Sequence, residues 1–318
     1  MNEGFFDNLP VLVTGGAGFI GSHLTRALVR HGAAVLVMDN FSHGTRANLA
    51  DIEHRIGILE GDIRNPDDCA LAVRDRAVVF HLAALGSVPA SVDHPRLYNE
   101  VNIGGTLNML QAAAGAGVKR LVYSASSAAY GDAPVLPKVE SMAPAPKSPY
   151  AVTKLVGEYY GCVFAQVYGL STVSLRYFNV FGPRQNPKSQ YAAVIPAFVS
   201  ALMAGQRPRI YGDGEQTRDF CFVENVVSAN LLGARCAKPL AGEVVNVACG
   251  ERISLNAMLA SMQRILGTNI AAEYLPERAG DVRDSLADIT AARELLGYVP
   301  VVRFDEGLTR TVKAYAGH

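Results

Sequence analysis

The chain lacks a charge bias. Its 318 residues carry 29 Lys+Arg against 29 Asp+Glu, a formal net charge of zero. That balance excludes a generally basic surface for nucleic acid and an acidic disordered tail, so any anion must be held by local groups. Pairable cysteine is also scarce. Cys69, Cys162, Cys221, Cys236 and Cys249 are odd in number, scattered and without a CxxC. They point to reduced thiols in a cytoplasm and away from a disulfide framework or a metal site. No apolar run reaches the ~18 residues of a membrane span. The opening MNEGFFDNLP is too polar for a signal peptide. Low-complexity segments and solenoid-period repeats are missing as well.

What is present is alternation. Short apolar runs at Val11–Thr14, Ala34–Met38, Ile56–Leu59, Ala77–Leu82, Arg120–Ser124 and Thr172–Tyr177 are separated by helical patterns such as Gly21–Arg30, Asn99–Gly115 and Pro149–Tyr168. Such βαβ units predict an α/β fold, a Rossmann-type doubly wound parallel sheet with helices on both faces. Ser148 as N-cap, Pro149 at the first helical position and Gly169 as stop bound one helix. After Phe178 the pattern turns irregular: loops at Gly182–Gln190 and Gly212–Thr217 surround a helix at Ala193–Ala204. Val244–Ala248 reads as a strand, and Ala257–Leu266 and Ile289–Leu296 as helices. The division is 1–178 for the sheet domain and 179–318 for a smaller α/β region, part of 219–248 returning to the sheet.

Strand Val11-Leu12-Val13 runs into Thr14-Gly15-Gly16-Ala17-Gly18-Phe19-Ile20-Gly21 at a helix start. Gly15 suits a tight turn, Gly18 close approach of backbone to a pyrophosphate, and Gly21 close helix–strand packing. The helix N-terminus supplies donors and positive potential. A glycine-rich turn without ligand is the plain alternative. Asp39, ending the next strand near the ~20-residue spacing of dinucleotide sites, favours the nucleotide reading. Its carboxylate accepts ribose hydroxyls and repels a 2′-phosphate, so NAD is preferred to NADP. Arg46 is a counter-signal, read as a solvated loop arginine. Asp62 is either an adenine contact or an ordinary turn aspartate.

Ser126 follows the fifth strand, and Tyr150 and Lys154 lie four residues apart, on one helix face. That spacing predicts an ammonium beside a phenol, lowering the phenol from its free value of about 10. The phenolate then serves as base toward a hydroxyl while hydride leaves the same carbon. Taken alone, the pair is also a common helix-surface arrangement.

The segments TGGAGFIGSHL, SASSAAYG, SPYAVTK, LRYFNVFGPRQ and GDGEQTRDF together resemble the extended short-chain dehydrogenase/reductase family, in its NAD-dependent epimerase/dehydratase branch. The resemblance runs essentially end to end. It implies Tyr150 as catalytic base, Ser126 as partner of the reacting oxygen, and Lys154 holding nicotinamide ribose hydroxyls. It further implies an NAD site including Phe19, Ile20, Asn40, Ile63, Leu82, Ala83, Ala84, Asn102 and Tyr177. Dehydratases of the family carry an Asp-Glu pair just after the serine. Here Ser127 and Ala128 stand there, which disfavours water elimination and favours a 4-epimerase working through a 4-keto sugar.

The same resemblance assigns Asn179, Arg218 and Arg278 to the pyrophosphate, Ile210-Tyr211 to the uracil and Asp281 to the uridine ribose. Arginine forks suit that clamp; surface ion pairs are the alternative for either one alone. Gly86, Ser87, Ser127, Gln185, Ala193 and Val194 belong to the implied sugar pocket. Ser285 stands where bulk restricts 4-epimerases to UDP-glucose and UDP-galactose, and a small residue admits an N-acetyl group. Ala84–Pro89 also resembles bacterial UDP-N-acetylglucosamine 4-epimerases of polysaccharide pathways. Ala128 departs from them, replacing a third serine. The expected substrates are UDP-N-acetylglucosamine and UDP-N-acetylgalactosamine, with UDP-glucose and UDP-galactose as further ones. The alternatives are a UDP-glucose or UDP-glucuronate 4-epimerase and, in another class, a non-catalytic NAD(H)-binding regulator. A homodimer through a four-helix interface of Asn99–Gly115 and Pro149–Tyr168 is implied, with Leu155, Tyr159 and Val163 on its face.

Overall fold

The computed structural model describes residues 4–186, 194–277 and 283–317. Six strands alternate with helices in the first half: β1 (Pro10–Thr14), β2 (Ala34–Asp39), β3 (Gly57–Glu60), β4 (Val78–His81), β5 (Arg120–Ser126) and β6 (Thr172–Tyr177). The helices are α1 (Phe19–Arg30), α2 (Pro66–Val73), α3 (Val88–Asp93), α4 (Pro95–Tyr98), α5 (Gly105–Gly115) and α6 (Pro149–Tyr168). Two-residue strands β7 (Val180–Phe181), β9 (Thr217–Arg218), β10 (Cys221–Phe222) and β12 (Ile253–Ser254) follow, with β8 (Arg209–Tyr211), β11 (Ala241–Val247) and β13 (Glu273–Leu275). They interleave with α7 (Val194–Met203), α8 (Val223–Arg235), α9 (Leu255–Leu266), α10 (Thr290–Leu296) and α11 (Phe304–Ala316).

The central sheet has seven strands in the order β11-β6-β5-β4-β1-β2-β3, every neighbouring pair parallel. β4, β5 and β6 are buried along their whole lengths, as strands covered on both faces must be. Strand order reverses between β1 and β4, and open α/β sheets hold their ligands beyond the carboxyl ends at such a point. The last third has its own core, in which Phe181 and Phe222, and likewise Phe220 and Phe304, pack with ring centroids 5.5 Å apart.

Several elements differ from the sequence reading. The expected helix over 99–115 is divided into a π-helical turn, Asn99–Gly104, and α5. Within that turn Asn102 ties itself to the backbone of Leu85, accepting from its N at 2.8 Å and donating to its O at 3.1 Å. α8 and α11 fall where no helix was predicted, since their apolar faces become legible only against the cores they pack on, α8 on both that of the sheet and that of the last third, α11 on the latter. α6 begins as expected: Ser148 Oγ accepts from Ala151 N at 3.2 Å, and Gly169 closes the helix in the left-handed region.

Candidate active site

The turn between β1 and α1 is built around glycine. Gly15 has φ +69°, and an added Cβ would sit 2.8 Å from Ala83 N. At Gly21 it would sit 2.1 Å from Gly15 O, whereas at Gly18 it would meet only Gly15 O, at 3.2 Å. The loop is therefore tight against the protein at two glycines and open at the third, the shape a pyrophosphate requires. Asp39 closes this end. Its carboxylate accepts from Ala17 N and Phe41 N, both at 2.9 Å. Burial pushes it above the usual carboxylate value, and the two amides oppose that. An ionised carboxylate offers about four lone-pair sites, so capacity for ribose hydroxyls is left. These residues fit a dinucleotide.

Around it the predicted cofactor residues fall into two groups. Phe19, Ile20, Leu82, Ala84, Tyr150, Lys154 and Tyr177 line one cavity of about 670 Å³. The others serve the frame. Ile63 is buried in a core cluster, Ala83 N donates to Thr14 Oγ1 at 3.2 Å, and Asn102 is the clamp on Leu85. Asn40 Nδ2 donates to Asp62 at 3.0 Å. Arg64 hydrogen-bonds Asp62 and holds its carboxyl down at about 2. Arg46 pairs with Glu60 at 2.8 Å and covers the Phe41 ring, rather than standing solvated alone.

Ser126, Tyr150 and Lys154 meet on the cavity wall. β5 delivers the serine at its last residue and α6 the other two. Lys154 Nζ donates to Ser124 O at 2.7 Å and lies 5.1 Å from the centre of the Tyr123 ring. Burial lowers the ammonium to about 7, against an opposing pull from Glu158. His81, bonded to Thr14 Oγ1 at 2.8 Å and Thr106 Oγ1 at 3.0 Å, is pushed down to about 3 by burial and by Lys154. It therefore stays neutral beside the lysine. The expectation that Lys154 lowers Tyr150 is corrected here. Burial raises the phenol above its ordinary value, and the group pulling it back is Ser126. One of the lysine's three donors goes to a backbone carbonyl.

Gly86, Ser127, Asn179, Gln185, Arg218 and Ser285 line the same cavity. Asn179 Nδ2 donates to Ser285 Oγ at 3.2 Å and to Asp219 O at 3.0 Å. Arg218 Nη1 donates to the carbonyls of Thr217 and Arg283, each at 2.9 Å. Asp219 fixes this wall: its buried carboxylate accepts from Cys249 N, Gly250 N and Ala287 N at 2.9, 3.0 and 3.2 Å. Burial pushes it up to about 6. Ser87, expected in the sugar pocket, caps α3, accepting from Ala90 N at 3.2 Å. Ile210 is wholly buried in the second core, and Val194 packs against it. Tyr211 is half-buried, its carbonyl accepting from Gln216 Nε2 at 2.5 Å. Ala193, Arg278 and Asp281 lie outside the described residues.

The sequence profile of the NAD dependent epimerase/dehydratase family matches residues 11–248. The chain belongs to this family. It is an NAD-dependent epimerase. A UDP-glucose 4-epimerase of Mycolicibacterium smegmatis is 38% identical over 312 residues, covering 96% of this chain and 98% of the relative. The structure is similar to that of a UDP-N-acetylglucosamine 4-epimerase from Methanobrevibacter ruminantium M1 in complex with UDP-N-acetylmuramic acid. Identity is 42%, TM-score 0.94, and coverage 98% of this chain and 99% of that one. A UDP-glucuronic acid 4-epimerase from Bacillus cereus, in complex with UDP-glucuronic acid and NAD, is 30% identical with TM-score 0.90, over 97% and 99% of the two chains.

Sequence reasoning missed Lys138 and Lys147, which also line the family member's cavity. They lie in the irregular stretch between Gly131 and Ser148, which has no periodic pattern. Among the described residues no group of His, Cys, Asp and Glu suits a metal ion, and no helix is long and apolar enough to cross a membrane.

Proposed function

We propose that the protein interconverts UDP-N-acetylglucosamine and UDP-N-acetylgalactosamine at C4. The coarser activity, NAD-dependent 4-epimerisation of a UDP-sugar, is that of its relatives. One observation carries the finer reading: the wall bears the small Ser285, its hydroxyl against Asn179. Gly86, also on the cavity lining, is so open that an added Cβ would meet nothing within 4 Å. That space suits a bulky C2 substituent.

The glycine turn and Asp39 would hold the adenosine and pyrophosphate of NAD, and Lys154 the nicotinamide ribose. Bound there, NAD would supply the acceptor for the C4 hydride and the donor that restores it. Tyr150 accepts the proton of the C4 hydroxyl as the C4–H bond breaks and the carbonyl forms. Ser126 holds the reacting oxygen and restrains the phenol. Arg218 and Asn179 anchor the pyrophosphate while the 4-keto sugar turns over within the cavity, and Tyr150 returns the proton to O4. Ser127 and Ala128 offer no acid to expel water.

UDP-glucose or UDP-glucuronate is the second reading, favoured by what the mycobacterial and Bacillus relatives act on. The test is to incubate purified protein with each UDP-sugar and follow the anomeric NMR signals. Conversion of UDP-glucose or UDP-glucuronate alone overturns the N-acetyl reading. A homodimer is part of the proposal. Val152, Tyr159, Val163 and Val167 form an exposed apolar stripe along α6, whereas Leu155 is buried and takes no part in it. Five free thiols fit a reducing cytoplasm.

A further inference from the structure

Lys154 has a buried acidic neighbour that the reaction does not use. Tyr150, Lys154 and Glu158 recur at four-residue steps along α6 and share one face. Lys154 and Glu158 are 4% and 2% exposed. Their i, i+4 spacing permits an ion pair, yet among the described residues none joins them. Lys154 Nζ turns to Ser124 O, at 2.7 Å. The Glu158 carboxylate gives both oxygens to Arg176 of β6, which donates from Nε at 2.9 Å and from Nη2 at 2.7 Å.

Arg176 is buried and pairs in register with Ala125, the residue before Ser126. Its guanidinium carbon lies 4.6 Å from the centre of the Tyr130 ring. Tyr130 is fixed in turn, its hydroxyl donating to Asn246 Oδ1 at 2.7 Å. A two-point bond and a facing ring hold the arginine fork in one orientation. Buried pairs of this kind are often no better for stability than apolar side chains of similar volume. Stability therefore does not account for one set a single turn beyond the lysine.

The other groups on the elements packed around α6 offer Lys154 no comparable charge. Burial pushes Tyr98 of α4, Tyr123 of β5, Tyr150 of α6 and Tyr177 of β6 up, and His81 of β4 down to about 3. All five are neutral near pH 7. Asp93 of α3 and Glu100 of the π-helical turn are exposed, and Glu243 of β11 accepts from Ala241 N at 2.6 Å. Glu158 is the anion whose pull opposes burial at Lys154.

We propose that Glu158 and Arg176 are a positioning pair for Lys154: the carboxylate supports the ammonium in its dry site, and the arginine, by occupying that carboxylate, leaves the ammonium's remaining donors to the nicotinamide ribose. Each partner has a distinct task. Without Glu158 the lysine is a buried cation with no anion near it. Without Arg176 the carboxylate is free to draw the ammonium one turn along the helix, away from the ribose. The role given to Lys154 rests on the 4-epimerase reading above; the pairing itself is read without turnover.

The holoenzyme is labelled with carbon-13 at lysine Cε and titrated by NMR, the Lys154 signal being identified by its loss in Lys154→Met. In Glu158→Gln the lysine loses its anion, and its midpoint falls by about one pH unit. In Arg176→Gln the carboxylate is released toward the lysine, and the midpoint rises by a similar amount. A merely structural pair gives no such opposed shifts. Unchanged midpoints, or shifts of one sign in both variants, overturn the proposal. The pH profile of kcat/KM is then measured on the UDP-sugar that the wild type converts fastest. For Glu158→Gln it begins to fall at lower pH, to about tenfold below the wild type at the alkaline end. Parallel profiles also overturn the proposal. Should a single variant not fold, Glu158→Leu with Arg176→Met removes both buried charges at similar volume. Its midpoint must fall as in Glu158→Gln, and a wild-type midpoint refutes the pair. Absence of C4 epimerisation on every UDP-sugar overturns the underlying reading instead.

Discussion

The hydroxyl of Ser285 receives the Nδ2 of Asn179 at 3.2 Å, across 106 residues of chain. The residue assigned to the C2 space and the residue assigned to the phosphate are therefore mechanically joined. Ser285→Tyr drives a ring into the cavity and displaces Asn179. Overpacking of this kind lowers kcat/KM for UDP-N-acetylglucosamine about tenfold or more, with a smaller effect on UDP-glucose. Equal losses on the two sugars refute the assignment to the C2 space. Ser285→Ala keeps the space and loses one acceptor, so both substrates are affected mildly.

Tyr150→Phe removes the proton acceptor and lowers kcat by about 10²–10⁴, with the fold retained by circular dichroism. Undiminished turnover requires another base. Lys154 adds a signature in stability. It loses its proton near 7 when folded, whereas an unfolded lysine keeps its proton to about 10.4. Between those values the unfolded state binds more protons, so this group makes stability rise with pH. Urea unfolding at pH 7 and pH 9 shows that rise in the wild type and a flatter profile in Lys154→Met.

Asp219 has the opposite sign. Its folded carboxyl titrates near 6, above the unfolded value of about 3.9, so stability falls as pH rises from about 4 to 6. Asp219→Ala flattens that slope and leaves the amides of Cys249, Gly250 and Ala287 unpaired. The cost is about 3 kcal/mol or more, read by denaturant unfolding at pH 7. Because Arg218 and Ser285 flank this hub, KM rises as well.

Gly21→Ala puts a methyl group 2.1 Å from Gly15 O, forcing α1 away from the turn. The variant is expected to purify without NAD, as judged by chromatography of the denatured protein. Gly115→Ala is the control: nothing lies within 4 Å of its added Cβ, and stability changes little or rises by about 0.5–1 kcal/mol.

Val163 is 45% exposed and Tyr159 56% exposed on the outer face of α6. Val163→Glu places a charge in the proposed dimer face. Sedimentation is expected to show a dimer for the wild type and a monomer for the variant. An unchanged dimer moves the interface elsewhere.

The sheet was largely legible in the chain because its signals are local. β1 through β6 are short apolar runs bounded by turn residues, and the start of α6 is written in Ser148-Pro149. The glycine loop is likewise a consecutive string whose spacing has one common use. Strand ends were less exact: β5 continues to Ser126, which makes the serine the last residue of a strand rather than a loop residue. The π-helical turn at Asn99–Gly104 was hidden, since it depends on Asn102 reaching Leu85 across a fold not yet formed.

What the sequence by itself determined is the parallel α/β frame, the dinucleotide turn and the placing of Tyr150 and Lys154 on one helix face, all set by periods and spacings within a few residues. Only tertiary structure decided what those groups feel. Lys154 bonds Ser124, 30 residues away, and burial sets its proton affinity. Ser285 finds Asn179, Asp219 gathers three distant amides, and Lys138 enters the cavity wall beside Ser285. Desolvation and long-range hydrogen bonding depend on which segments close over one another, and residue spacing carries no record of that closure.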